Sequence, residues 1–247
     1  MRMAINWRTI RWGFWFGVVS LVGLVLGLMF AGQWLHRVLM DEQQVPLDAI
    51  VLQGNLSYTS IDEVREALVA GELGSFFAAD VSTLKQRVEE LPWIETAAVR
   101  KEWPGRLRIY LVEQEPKAIW NQTQLLNRHG KVFAGRVEQV EGELPSLSGP
   151  PADVEEVIRQ YERINELLVL NGYQVAALDM TERFSVDVTL QNGVWLRLGR
   201  EARLQRIQRF IDLHDRLRRE DEREIEYVDL RYDTGVAVGW RENQAGE

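Results

Sequence analysis

From Trp12 to Leu35 the chain runs WGFWFGVVSLVGLVLGLMFAGQWL, with no charge and only Ser20 and Gln33 polar. As a helix these roughly 24 residues measure about 36 Å, and a bilayer core of roughly 30 Å needs about 20 residues. Trp12, Trp15 and Trp34 stand near the two ends, where indole rings favour the headgroup region. The pattern predicts one membrane-spanning helix, Trp12 to Leu35, with residues 36–44 as a linker. Its length and its poor small-residue cleavage site, LMFAGQW, argue against a cleaved signal peptide. Arg2, Arg8 and Arg11 precede it without an acid, whereas Asp41 and Glu42 follow Arg37. That imbalance keeps the short tail of residues 1–11 in the cytoplasm and exports the rest.

Beyond the linker the period shortens. Val45 to Gln53 alternates as a strand, and Gly54-Asn55 signals a turn. Ser60 and Glu63 have the spacing of a capping box, opening a helix to about Ala70 with Val64, Ala67 and Leu68 as its apolar stripe. A Gly-containing loop with Phe76-Phe77 precedes a second helix, about Asp80 to Glu90, which Pro92 closes. Ile94 to Trp103 reads as a strand, Trp103-Pro104-Gly105 as a tight turn, and Leu107, Ile109 and Leu111 mark the inner face of the next strand. Residues 45–115 therefore form a β-α-α-β-β unit.

The second stretch, 116–240, alternates short strands with two helices. Strands are expected at 117–121, 123–127 and 131–134, and Pro145 to Pro151 as a loop. A helix covers about Ala152 to Asn171 and ends at Gly172. Strands at 174–181, 184–190 and 194–198 follow, the last two joined by Asn192-Gly193, the strongest hairpin signal in the chain. A helix over 202–219 carries Leu204, Ile207, Phe210, Ile211, Leu213 and Leu217. The last strands are 225–231 and 235–240, and residues 241–247 form a frayed tail. The fold class is α+β: a transmembrane helix, the first unit, then a second domain with a mostly antiparallel sheet covered by two helices.

Composition narrows the function. The formal net charge is −8 and there is no cysteine. An acidic chain does not suit nucleic acid, and disulfides and thiolate metal sites are excluded. Of the three histidines, His36 flanks the anchor, His129 lies in a turn and His214 on a helix amid charges, so no metal or other cofactor is expected. No phosphate loop, dinucleotide fingerprint or nucleophile elbow is present. Carboxylates at Glu113 and Glu115, Glu141 and Glu143, and Asp221, Glu222 and Glu224 stay in view for a cell-wall hydrolase, which needs two of them facing each other. A protein-binding role fits better, and no small-molecule substrate is expected. In the final strand Val236, Val238 and Trp240 alternate, and Gly235 and Gly239 allow another backbone to come close. The bland reading is a bulge at Gly239 and a core tryptophan at Trp240.

The segment Tyr227-Val228-Asp229-Leu230-Arg231-Tyr232-Asp233-Thr234-Gly235-Val236-Ala237-Val238-Gly239-Trp240 resembles the C-terminal signature of the FtsQ/DivIB family of bacterial cell-division proteins. Leu91-Pro92-Trp93-Ile94 and Lys101-Glu102-Trp103-Pro104-Gly105-Arg106-Leu107 are similar to segments of that family's POTRA domain, at 45–115. Leu178-Asp179-Met180 and Gly193 to Arg200 are similar to parts of its β-domain. The resemblance implies a non-enzymatic divisome scaffold at the septum, in the inner membrane of a Gram-negative-type cell. It implies FtsB and FtsL as partners, and through them the synthase pair FtsW and FtsI. FtsB would add a strand beside the last strand, at Arg231, Tyr232, Thr234, Gly235, Gly239 and Trp240, with Arg183 as a looser match. Arg231 would then meet an acid on the partner. A POTRA-bearing component of a transport or outer-membrane assembly machine is the alternative.

Overall fold

The computed structural model describes residues 12–41, 47–70, 75–220 and 223–241. The tails at 1–11 and 242–247, the last three linker residues (42–44) and the first two of the first predicted strand (45–46) lie outside the described residues. The chain divides into two compact units, Met1–Val112 and Glu113–Glu247.

The first unit opens with helix α1, Trp12–Met40. It is exposed along nearly its whole length, and among the described residues it is the one helix long and apolar enough to cross a membrane. The helix runs five residues past the expected end at Leu35. His36 to Met40 holds no glycine or proline, so the helix outlasts the apolar run. Strand β1 (Ala49–Gln53), helices α2 (Ile61–Val69) and α3 (Val81–Glu89), and strands β2 (Ile94–Glu102) and β3 (Arg106–Glu113) follow.

The capping box forms: the Ser60 hydroxyl accepts from Glu63 N–H, and Ser60 N–H donates to Glu63. Asp80 caps α3 through Ser82 N–H. The sheet order is β1-β3-β2, with β1 parallel to β3. Val64, Leu68, Leu84 and Val88 of the helices close over Ile94, Ala97, Leu107, Ile109 and Leu111 of the strands. Gly54 adopts φ +144°, and a Cβ there would strike the Leu111 carbonyl, so this turn requires glycine.

The second unit is one nine-stranded sheet. Its strands are β4 (Pro116–Trp120), β5 (Gln124–Asn127), β6 (Val132–Phe133), β7 (Ser146–Ser148), β8 (Val175–Met180), β9 (Val186–Leu190), β10 (Trp195–Gly199), β11 (Ile225–Asp229) and β12 (Ala237–Trp240). The spatial order is β12-β11-β10-β9-β8-β7-β4-β5-β6. The β10–β11, β4–β7 and β7–β8 pairs are parallel and the other five antiparallel. The Pro-rich stretch expected as a loop thus supplies β7, which joins the two halves of the sheet. Three residues with a single apolar side chain, Leu147, give no alternation to read, and partners on both sides make the strand. A short 3-10 turn at Val137–Gln139 is likewise absent from the sequence reading.

Helices α4 (Val154–Val169) and α5 (Arg203–Glu220) pack side by side on the sheet, α4 against β7 and β8, α5 against β10. Val157, Ile164, Leu168, Ile207 and Phe210 meet Leu147, Leu178, Val188, Leu196 and Val228 in the core. Leu204, expected on the apolar stripe, is exposed. His214 is buried rather than set among charges, its Nδ1 2.8 Å from the Tyr173 hydroxyl.

Candidate partner-binding edge

Strand β12 ends the sheet, paired to β11 on one side and to no strand on the other among the described residues. Backbone polar groups turn alternately to the two sides of a strand. The Arg241 N–H is donated toward β11, to the Glu224 carbonyl at 2.8 Å. By alternation the N–H and C=O of Val238 and Trp240 turn to the open side. The same two side chains, with Val236, pack on the core, where all three are half-buried. The strand is therefore fixed from below while its outer polar groups stay presented.

Gly239 sits on the opposite sheet face, and a Cβ there would collide with the Tyr227 ring. The space on that face is filled by the side chain of the neighbouring strand, so the Tyr227 ring requires glycine there. The ladder slips between Ile225 and Tyr227, so the irregularity lies on β11, opposite Gly239 and Trp240. Trp195 packs edge-on against Tyr227 with centroids 6.3 Å apart, and the Arg197 guanidinium lies 4.8 Å from the Trp195 centroid. Gly235 has open space around it.

The loop from Leu230 to Val236 is held by arginines of α5. Arg209 donates to the carbonyls of Tyr232 at 2.7 Å, Asp233 at 3.1 Å and Gly235 at 3.4 Å. Arg206 donates to Leu198 at 2.6 Å and to Arg231 at 3.1 Å. Arg203 reaches the Phe184 carbonyl at 2.6 Å. Three arginines spaced three apart thus line one face of the helix and tie down successive loops at one end of the sheet. With its backbone held, the loop leaves Tyr232 57% exposed, and Thr234 and Gly235 exposed. Arg183 is exposed in the β8–β9 turn, one residue before Phe184. It lies at the same end of the sheet as the 230–236 loop, but the turn leads into β9, which β10 and β11 separate from β12.

Arg231 was expected to be available to an acid on a partner. It is already engaged: its guanidinium forks onto Asp229, Nη2–Oδ2 2.6 Å and Nε–Oδ1 2.9 Å, with the Asp229 side chain 7% exposed. The Arg231 hydrogen bonds hold the Asp229 carboxyl below the ordinary carboxylate value despite burial. Asp187, in line with Asp229 across Arg197, is pushed the other way by burial, against the pull of Arg197 and Arg231.

Arg206, Arg209 and Asp229 went unread in the sequence as parts of this edge. The signals were there: the three-residue arginine spacing, and Asp229 two residues before Arg231 on the same strand face. Elsewhere the carboxylates do other work. Glu115 pairs with Lys117 at 2.5 Å and Arg128 at 3.5 Å, and Glu224 with Arg241 at 2.8 Å; Asp221 and Glu222 lie outside the described residues. Among the described residues no three His, Asp or Glu side chains gather as metal ligands would.

Comparison with known proteins agrees with the architecture. Residues 45–114 match the model of the POTRA domain, FtsQ-type, and residues 118–231 that of cell division protein FtsQ/DivIB, C-terminal. The chain is 42% identical over 247 residues to the cell division protein FtsQ of Shewanella oneidensis, covering 98% of this chain and 94% of that one. It is 36% identical to the protein of that name from Vibrio cholerae over 228 residues, 92% of this chain and 85% of the other. With that of Escherichia coli the identity is 36% over 230 residues, 91% and 83%.

Proposed function

Because the chain belongs to the FtsQ/DivIB family of bacterial cell-division proteins, we propose that it is a membrane-anchored, non-catalytic scaffold of the divisome. In this reading α1 crosses the inner membrane once, with the N-terminus cytoplasmic and both folded units periplasmic, at the septum. FtsB adds a strand to the open side of β12, FtsL is bound with it, and FtsW and FtsI are reached through this pair. Septal peptidoglycan synthesis is then controlled through assembly and not through chemistry on this chain.

The observation that carries the reading is the state of β12. It is a sheet edge with outward backbone groups at Val238 and Trp240, beside a loop whose own carbonyls are held by Arg209. A strand arriving there gains main-chain hydrogen bonds for affinity and meets Tyr232 and Thr234 for specificity. Arg231 contributes as one half of its pair with Asp229, presenting what remains of its guanidinium. The test is co-purification of the full-length chain with FtsB and FtsL from detergent, wild type against Tyr232→Ala. Loss of FtsB from the variant, with an unchanged melting curve, supports the reading; full retention of FtsB rejects the edge.

A further inference from the structure

We propose that one end of the POTRA unit lies in the headgroup layer of the bilayer that α1 crosses, with Phe77 and Trp103 as its interfacial side chains. The proposal rests on the membrane-anchor reading of α1. Three connections meet at this end of the unit. The first is the chain just before β1, where Asp48 N–H donates to the Gly105 carbonyl at 2.7 Å. The second is the α2–α3 connection around Ser75 to Phe77, and the third is the β2–β3 turn at Trp103 to Gly105. Lys101 joins the second to the third, its Nζ 2.8 Å from the Phe77 carbonyl.

The depth follows from two independent constraints. The Ser75 hydroxyl, fully buried, donates to the Leu39 carbonyl of α1 at 2.8 Å. Leu39 lies four residues past the end of the uncharged run, or about 6 Å along a helix. The headgroup layer on each side of the core is roughly 5–7 Å thick, so Ser75 is held at its outer part. The covalent chain gives the second limit. Asp48 is eight residues from Met40, which caps its distance from the helix end at about 29 Å even when fully extended. The end of the unit that carries Ser75 and Asp48 therefore cannot stray far from the membrane surface.

The exposed side chains at that end have the chemistry of the interface. Trp103 is 82% exposed and Phe77 42%, large aromatic surfaces that cost free energy in water and favour the headgroup region, with an indole N–H to satisfy. Phe76 lies buried beneath, edge-on to Phe77 at 5.2 Å and 5.7 Å from Lys101 Nζ. Ile61, at the opposite end of α2, marks the side of the unit turned from the membrane.

The chain has no cysteine, so single labels can be placed at will in the full-length protein. Nitroxides at Leu24→Cys, Ile61→Cys, Phe77→Cys and Trp103→Cys are compared in phosphatidylcholine–phosphatidylglycerol vesicles for collision with oxygen and with a water-soluble nickel chelate. The label at 24 reports hydrocarbon and the label at 61 water. Those at 77 and 103 report headgroup depth, with nickel collision several-fold below position 61. A fifth label, Arg106→Cys, leaves Trp103 in place, and its nickel collision rises when Trp103→Ser is added. Labels at 77 and 103 as nickel-accessible as that at 61, with 24 still in hydrocarbon, overturn the proposal and leave the anchor standing. Free nickel access at 24 overturns the anchor itself, and the proposal with it.

Discussion

The nine-stranded sheet finishes differently at its two ends. At one, β6 is two residues long, Val132–Phe133, with Phe133 buried. At the other, β12 has four residues, and three arginines of α5 fix the loops around it. Shortening is a common way to keep an edge from recruiting a foreign strand, because few donors and acceptors are left to template it. The β12 end does the reverse. Its side chains are committed to the core, its loop backbone is satisfied by the helix, and the outward groups of Val238 and Trp240 remain. Under the proposed function this ordered edge is where the partner strand docks.

The comparison breaks most visibly at the backbone. Val238→Pro removes an outward N–H without touching the ladder to β11 and is tolerated on an open edge. It is expected to weaken FtsB binding by about 3 kcal/mol, or roughly 100-fold, since the partner carbonyl is left unpaired. Calorimetric titration with the FtsB periplasmic segment reads this directly. Unchanged affinity means that no strand is added.

Tyr232→Ala comes next, with an expected loss of about 2 kcal/mol, roughly 30-fold, for an exposed aromatic anchor. Trp240→Gly also weakens binding but lowers thermal stability too, because the Trp240 side chain packs on the core. Surface-resonance binding paired with a melt separates the two variants.

Arg209→Ala frees the carbonyls of Tyr232, Asp233 and Gly235. It is expected to lower affinity by about 1 kcal/mol, mainly through a slower association rate with a loop no longer held, while the melting temperature moves little. A faster association rate contradicts the role given to the clamp.

The smallest effect lies in the acid dependence of stability. Asp229 is depressed by Arg231, so its contribution is fully present above the unfolded carboxylate value, about 4, and is lost as pH falls through its lower folded value. Asp187 is raised by burial, so its ionised form costs stability at neutral pH, and that cost is relieved as pH falls through its folded value toward about 4. Asp229→Asn is therefore expected to lower the melting temperature at pH 7 and to flatten its fall below about pH 4. Asp187→Asn is expected to raise it slightly at pH 7 and to remove the gain on mild acidification. Melts of both variants across this range check the signs.

Much of this was legible from residue patterns. The uncharged run at 12–35, the Ser60–Glu63 box, the Leu107-Ile109-Leu111 alternation and the Asn192-Gly193 turn each carry a local signal strong enough to survive folding. The FtsQ-type motifs placed the two units in order. Part of what escaped depends on neighbours distant in sequence. Ser146–Ser148 becomes a strand only because β4 and β8 flank it. Gly239 reads as a gap, and the Tyr227 ring of the neighbouring strand is what requires glycine there. Arg231 reads as a free cation until Asp229 is seen beside it on the buried side of the ladder. The first two are set by contacts across the sheet, whereas Arg231 finds its partner two residues away in its own segment.

Docking of a partner strand on the open side of β12 is tested most directly by amide-resolved hydrogen exchange of the full-length chain with and without FtsB. The Val238 and Trp240 amides are expected to gain strong protection on binding, while those of Val132 and Phe133 at the other end of the sheet do not change. Protection confined to α5 or the 230–236 loop, with Val238 and Trp240 exchanging as before, would contradict it.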